Sequence, residues 1–438
     1  MAGLFGRMVM MDKVFSEKFL WGAASSAVQI EGAFDADGKG LSIWDTAPAD
    51  KIKNGESCHD GCDHYHHYKE DVALMKQMGL RSYRFSVSWP RVMPEEGVIN
   101  EKGLQFYSDL VDELLSAGIE PMVTLYHWDL PVWADRKGGW LTEDIIPLFR
   151  EYVKAVVEKL SDRAVWWMVM NEVHCFVWNG YLNGIHAPFQ KNMFHLNRLT
   201  RVVLKAQAVG VRTIRDHAVR KPMIGSALSA GAYIPLSENT EDIEKAYHES
   251  FYSRVGTTSN RWWSDPAVLG KPVSIYGLFR SFQKDMADIR CDFDFIGINV
   301  YSPWLKKGTV VPEERKSSLG WPIDWRGLYW VLRFYYQRYH LPLLITENGI
   351  SLNDRVSEDG RVHDEKRTGF IREYLDGVTH AVREGIPVLG YQYWSLTDNF
   401  EWAEGYTPRF GLIYVDYETK KRIIKDSGYA YADIIRNM

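Results

Sequence analysis

Eight short, mostly apolar runs recur along the chain, each gap between them long enough for a helix and two loops, and this alternation limits the fold more than anything else in the sequence. The runs are FLWGAA (19–24), SYRFSVSW (82–89), EPMVTLYHW (120–128), AVWWMVMNE (164–172), MIGSALSA (223–230), DFIGINVY (294–301), PLLITENG (342–349) and VLGYQYWSL (388–396). They have the length and the β-branched and aromatic content of buried strands. Helical patterns such as KGLQFYSDLVDELLSAG, DIIPLFREYVKAVVEKL and KRTGFIREYLDGVTHAVREG fill the gaps, each ending near a glycine or a polar break. Apolar strands that alternate with helices predict an α/β protein with a parallel sheet covered on both faces, and eight such units predict closure into a (β/α)8 TIM barrel. No low-complexity linker or short-period repeat interrupts the pattern, so residues 13–438 read as one barrel domain and residues 1–12 as a flexible extension.

Composition narrows the function. The chain has 438 residues, 46% hydrophobic and 25% charged, which is ordinary for a soluble globular protein with a large core. Its net charge is -5 with the basic residues scattered, so neither nucleic acid nor an anionic membrane is an expected partner. The N-terminal apolar run is broken by Arg7, Asp12 and Lys13, too soon for a signal peptide, and no later window approaches a membrane span. Four cysteines, at 58, 62, 175 and 291, give no disulfide framework, which points to a reducing cytoplasm. The 17 Trp and 24 Tyr suit a sugar-binding cleft, although composition alone favours core packing.

In a barrel of this kind the chemistry gathers where side chains from many strands converge, at the C-terminal strand ends. The runs end in Trp89, in His127 and Trp128, in Asn171 and Glu172, in Asn299 and Tyr301, in Glu347 and Asn348, and in Trp394 and Ser395. One such residue alone is an ordinary capping or packing residue; the same pattern on several strands marks a candidate site. Two of these ends carry a carboxylate, Glu172 and Glu347, with no set of metal ligands around them. Such a pair suits cleavage of an acetal, because one group stays protonated to donate to the leaving oxygen while the other stays ionised to attack or to activate water. The alternative is that each glutamate closes a salt bridge within the barrel.

The stretch SCHDGCDHYHHYKED (57–71) poses a separate question. Cys58 and Cys62 with His64 and His66 have spacing that a zinc site could use. Equally, Tyr65, Tyr68, Val72, Met75 and Met78 form the buried stripe of a helix that Gly79 ends.

Longer motifs follow one another along the chain: FLWGAASSAVQIEGA with Gln29, DHYHHYKEDVALMKQMG, YRFSVSWPR with Arg84, TLYHWDLP with His127 and Trp128, NGYLNGIHAP, DFIGINVYS, ITENG with Glu347, and YWSLTDNFEWAEGY through FGLIYVDY. Together, from Phe19 to about Tyr431, they resemble glycoside hydrolase family 1, the retaining β-glycosidases typified by microbial β-glucosidases. The resemblance implies hydrolysis of terminal, non-reducing, unphosphorylated β-D-glucosyl residues, with galactosyl and fucosyl residues as further substrates, by double displacement through a covalent glycosyl-enzyme. Transglycosylation would accompany it. Glu347 would be the nucleophile and Glu172 the acid that then serves as base. Arg84 and Tyr301 would lie against Glu347, the cation keeping it ionised and the phenol orienting it. Asn171 would hold the sugar 2-hydroxyl, Gln29, His127, Glu401 and Trp402 the remaining hydroxyls, and Trp394 would be the apolar floor; Trp128 would be a further substrate-binding residue, while Asn299 would support Glu172. The partner would be a small-molecule β-glycoside or a β-linked disaccharide, with no cofactor and no metal. DHYHHYKED then begins a structural helix, and Cys58 and His59 read as solvated loop residues.

Some positions depart from the family pattern. Its T-x-N-E-P is here Val169, Met170, Asn171, Glu172 and Val173, and its N-Y-Y is Asn299, Val300 and Tyr301, where strand alternation turns Val300 away from the pocket. Relatives acting on 6-phosphoglycosides carry Ser, Lys and Tyr where this chain has Glu401, Pro408 and Phe410, so unphosphorylated sugars are expected. Loops 173–189 and 304–330 are the least family-like and would set the aglycone. A metal-dependent barrel hydrolase would need several strand-end His and Asp ligands, and His127 is the only strand-end histidine. A catalytically weak sugar-binding relative would lack one of the glutamates; both are present.

Overall fold

The computed structural model describes residues 14–254, 256–274 and 284–438, so the extension assigned to residues 1–12 lies outside the described residues. Each of the eight apolar runs becomes one strand, trimmed at its ends. They are β1 (Leu20–Ala24), β2 (Ser82–Ser86), β3 (Glu120–Tyr126), β4 (Trp166–Asn171), β5 (Met223–Ser229), β6 (Ile296–Asn299), β7 (Leu343–Asn348) and β8 (Val388–Trp394). They pair in parallel and in sequence order, and β1 returns to β8 from Leu20↔Gly390 to Ala24↔Trp394, which closes the barrel. A short antiparallel pair follows, β9 (Ile413–Val415) with β10 (Arg422–Ile424). Three-residue strands are too short for alternation to show in a sequence.

Helices run between successive strands and bury one stripe each. In Glu101–Ser116 the stripe is Leu104, Tyr107, Leu110, Val111 and Leu114, and in Ile145–Leu160 it is Phe149, Tyr152, Val153, Val156, Val157 and Leu160. Both follow the 3.6-residue helical period. Asn100 caps the first of these helices by accepting from the Lys102 N–H. Between the strands, Met122, Met168, Phe295 and Leu344 form their own apolar cluster, flanked by Leu20, Trp166, Met223 and Leu389. Most of these stand at or near the starts of their strands, so the apolar plug fills the N-terminal end of the barrel and polar side chains take the other end.

The 57–71 stretch folds as a loop leading into a helix, His64–Gln77, with Val72, Met75 and Met78 buried as expected and Tyr65 and Tyr68 half-buried. Its candidate ligands all point to other partners. His64 Nδ1 lies 2.7 Å from Asp71 Oδ2, and the Cys62 thiol donates to the Asp398 carbonyl at 2.7 Å. Cys58 is buried with its thiol 3.6 Å from Asp45, and His59 stacks on Phe34 at 3.9 Å with Nε2 2.8 Å from the Asp45 carbonyl. The reading of Cys58 and His59 as solvated is therefore corrected: the loop folds back onto residues 34–45, which supply partners for both. Burial, with the Asp45 charge next to it, pushes the Cys58 thiol well above the usual cysteine range. All four cysteines are free, and among the described residues no group of three or more His, Cys, Asp or Glu gathers as a metal ion would require. No helix among the described residues is long and apolar enough to cross a membrane.

Candidate active site

At the C-terminal strand ends a cleft of about 650 Å³ opens, lined by ten of the expected residues: His127, Trp128, Asn171, Glu172, Asn299, Tyr301, Glu347, Trp394, Glu401 and Trp402. Strand register breaks where the chemistry sits. The β4–β5 pairing shifts between Met168 and Asn171, and the β6–β7 pairing between Ile298 and Asn299. Such irregularities re-aim side chains at a barrel rim. Glu172 itself adopts φ +45°, left-handed backbone that a residue other than glycine rarely takes. Its N–H donates to the Ala227 carbonyl at 2.8 Å, and its own carbonyl accepts from the Cys175 N–H at 2.8 Å. Gly349 closes the ITENG motif for a steric reason, because a Cβ there would lie 1.8 Å from the Trp394 carbonyl oxygen.

One chain of hydrogen bonds joins the two carboxylates. Arg84, fully buried in β2, donates to Glu347 Oε1 at 2.7 Å and to Asn171 Oδ1 at 2.7 Å. Asn299 Nδ2 donates to Asn171 Oδ1 and to Glu172 Oε1, both at 3.1 Å, while its Oδ1 accepts from Thr346 at 2.6 Å. The Tyr301 hydroxyl donates to Glu347 Oε2 at 2.5 Å. Glu347 thus has a cation on one oxygen and a phenol on the other, whereas Glu172 meets neutral donors, the Asn299 amide and the Cys175 thiol. Burial first, and then the Glu347 charge, raise Glu172 well above the ordinary carboxylate range, so it keeps the proton that a general acid must donate. Glu401 is pushed up to about 8, by burial and then by the Glu347 and Glu172 charges.

The remaining expected residues fall into two groups. Burial, then the Arg84 charge, hold His127 well below the usual histidine range, so its ring is neutral. Asn171 Nδ2 donates to His127 Nε2 at 2.9 Å, which puts the ring proton on Nδ1. The Trp128 indole donates to the Asn171 carbonyl at 2.9 Å, and its ring lies 4.5 Å from that of Trp402. Trp394 stacks on His127 at 5.8 Å. Gln29 and Arg84 do not line the cleft; they act from behind it. Gln29 is wholly buried, accepting from Ser26 at 2.6 Å and donating to Asn399 Oδ1 at 3.1 Å, to the Phe400 carbonyl at 2.8 Å and to Glu401 Oε2 at 3.4 Å. It holds the Glu401 loop in place. The departures from the family pattern also stay clear of the cleft: Val169 packs toward Gly210, Val173 lines a separate small cavity, and Val300 is buried elsewhere.

Sequence reasoning missed the individual residues of the outer wall. They are Cys175, Asn179, Ile185 and His186 after β4, Ser229 and Ala230 at the end of β5, and Ser302, Trp304, Leu319 and Trp321 after β6. Most lie in the two loops marked as aglycone-setting; Asn179, Ile185 and His186 fall within NGYLNGIHAP and Ser302 within DFIGINVYS, but neither motif says which of its residues face the cleft.

A (β/α)8 barrel whose mouth holds one proton-retaining glutamate and one glutamate paired with an arginine has the construction of a glycoside hydrolase. The chain belongs to glycosyl hydrolase family 1, whose family model matches residues 11–438. It is 40% identical to β-glucosidase A of Thermotoga maritima over 440 residues, covering 97% of this chain and 98% of that protein. The solved structure of a β-glucosidase from Thermotoga maritima in complex with noeuromycin aligns with a TM-score of 0.88 and 38% identity, over 97% of this chain and 98% of that one. The aryl-phospho-β-D-glucosidase BglC of Bacillus subtilis is also similar, 35% identical over 96% of this chain and 97% of that protein.

Proposed function

We propose that this protein is a retaining β-glucosidase acting on terminal, non-reducing, unphosphorylated β-D-glucosyl residues of small β-glycosides and β-linked disaccharides. The observation that carries this reading is the unequal setting of the two glutamates: Glu347 is gripped by Arg84 and Tyr301, whereas Glu172 is buried among neutral donors and holds its proton. In the first step a Glu347 oxygen bonds to the anomeric carbon as the bond from that carbon to the aglycone oxygen breaks, and Glu172 gives its proton to the departing oxygen. The ester formed at Glu347 carries no charge, so the repulsion that raised Glu172 disappears and its carboxylate becomes a base. In the second step Glu172 takes a proton from water as the water oxygen attacks the anomeric carbon and Glu347 leaves. An alcohol in place of water gives transglycosylation.

Glu401 supports an unphosphorylated substrate, since its carboxyl group reaches the cleft where a 6-phosphate would need a cation. Galactosyl residues, which differ from glucosyl at C4, and fucosyl residues, which differ at C4 and C6, are further substrates of the same cleft. Four free cysteines suit a reducing compartment, the cytoplasm. The test is hydrolysis of p-nitrophenyl β-glucoside against its 6-phosphate, with the first product anomer read by NMR. The reading expects a higher kcat/KM for the unphosphorylated substrate and β-glucose first; α-glucose first, or preference for the phosphate, contradicts it.

A further inference from the structure

We infer that Trp304 is a preset stacking platform for the leaving group and that it selects uncharged, electron-rich aromatic aglycones; the inference rests on the β-glucosidase reading. Trp304 lines the cleft with Ile185, Ala230, Leu319 and Trp321. Its backbone N–H donates to the Ala232 carbonyl at 2.9 Å, just beyond β5, the strand that pairs with the end of β4 carrying Glu172. That is the side on which the acid meets the aglycone oxygen.

The indole is held from several directions. Tyr233 meets it edge-on at 5.7 Å. Gly231 lets it pack against the backbone, since a Cβ there would lie 2.1 Å from Trp304 Nε1. The Arg254 guanidinium lies over the ring, 4.1 Å from its centroid. Arg254 and Trp304 together line a second cavity of about 70 Å³, and Arg254 is absent from the cleft lining. The cation therefore reaches the indole from the side cavity and not from within the cleft.

Two consequences follow for substrate choice. A ring already clamped loses little further freedom when a ligand stacks on it. A cation against the ring also draws electron density from the indole, which improves stacking with an electron-rich arene and weakens contact with the polarised C–H bonds of a sugar face. Every formally charged residue lining the cleft is a glutamate, and among the described residues no Lys or Arg lines it, so nothing there attracts an anionic aglycone.

The test compares phenyl β-glucoside, cellobiose and β-glucosyl fluoride in wild type, Trp304→Ala, Trp304→Phe and Arg254→Met. Trp304→Ala should lower kcat/KM for phenyl β-glucoside about tenfold, the scale of a lost aromatic stack, with smaller loss for cellobiose and none for the fluoride, which has no aglycone ring. Trp304→Phe should recover part of the loss, and Arg254→Met, altering a positioning residue, should lower the preference for phenyl β-glucoside over cellobiose. Equal losses on all three substrates, or a greater loss on cellobiose than on phenyl β-glucoside, overturn the platform. If wild type fails to cleave the fluoride, the β-glucosidase reading fails instead.

Discussion

Asn299 Nδ2 stands 3.1 Å from Glu172 Oε1 and donates to it. The same nitrogen donates to Asn171 Oδ1, the oxygen that also accepts from Arg84, and Arg84 in turn grips Glu347. Asn299 thus ties the position of one carboxylate to the partner of the other. Because its amide is neutral, it orients Glu172 without adding a positive charge that would draw off the proton.

Asn299→Ala should therefore harm acid catalysis most. Removing a hydrogen bond between neutral groups is worth about 0.5–1.5 kcal/mol, or roughly two- to tenfold in rate. The loss should appear with poor leaving groups and nearly vanish with 2,4-dinitrophenyl β-glucoside, which needs no proton. A Brønsted plot across aryl glucosides checks this through a steeper slope.

Tyr301→Phe acts on the other carboxylate. It removes the 2.5 Å bond to Glu347 Oε2 and leaves Arg84 in place. The expected result is a loss in kcat of about tenfold or more that does not depend on the leaving group, because the nucleophile serves every substrate. Steady-state kinetics on the same aryl series separates the two variants.

The raised Glu172 sets the alkaline limb of activity. A carboxyl group held above its ordinary range stays protonated to higher pH, so kcat/KM should fall as pH rises through that raised value. After burial, the next cause of the shift is the Glu347 charge. In Glu347→Gln that charge is gone and the Glu172 pKa should drop. Carbon-13 NMR titration of the glutamate carboxyl carbons reads the change directly, and an unchanged or higher value contradicts the coupling.

Behind the cleft lies a buried ionic cluster that carries stability. Lys425 Nζ reaches Asp354 Oδ2 at 2.5 Å and Asp398 Oδ1 at 2.6 Å, while Arg367 pairs with Asp354 at 2.7 Å and Arg409 with Asp398 at 2.7 Å. Lys425→Met leaves two buried carboxylates short of a cation, which should cost about 3–5 kcal/mol in a urea unfolding experiment. Asn399, next to Asp398, accepts from Gln29, so KM should rise in the folded variant as well.

The barrel was legible because each strand is a short apolar run and each helix a longer amphipathic one, and those periods survive packing. Glu172 and Glu347 were legible because a carboxylate at the end of an apolar strand has few structural uses. Gln29 was not fully legible: its motif marks it as important, but only the fold shows its amide bonded to Ser26, Asn399, Phe400 and Glu401. Cys58 was misread because loop residues gain burial from contacts distant in the chain, here Asp45. Trp304 and Ile185 reach the cleft through loop geometry, which leaves no periodic trace.

The most direct test of the central claim is the product that Glu172→Ala forms from 2,4-dinitrophenyl β-glucoside with azide present. The activated leaving group lets Glu347 form the glycosyl-enzyme without an acid, and azide needs no general base to attack it. The account predicts that azide restores turnover and that the product is β-glucosyl azide, while Glu347→Ala yields no β-azide. No rescue of Glu172→Ala, or an α-azide from it, would contradict the roles assigned to the two glutamates.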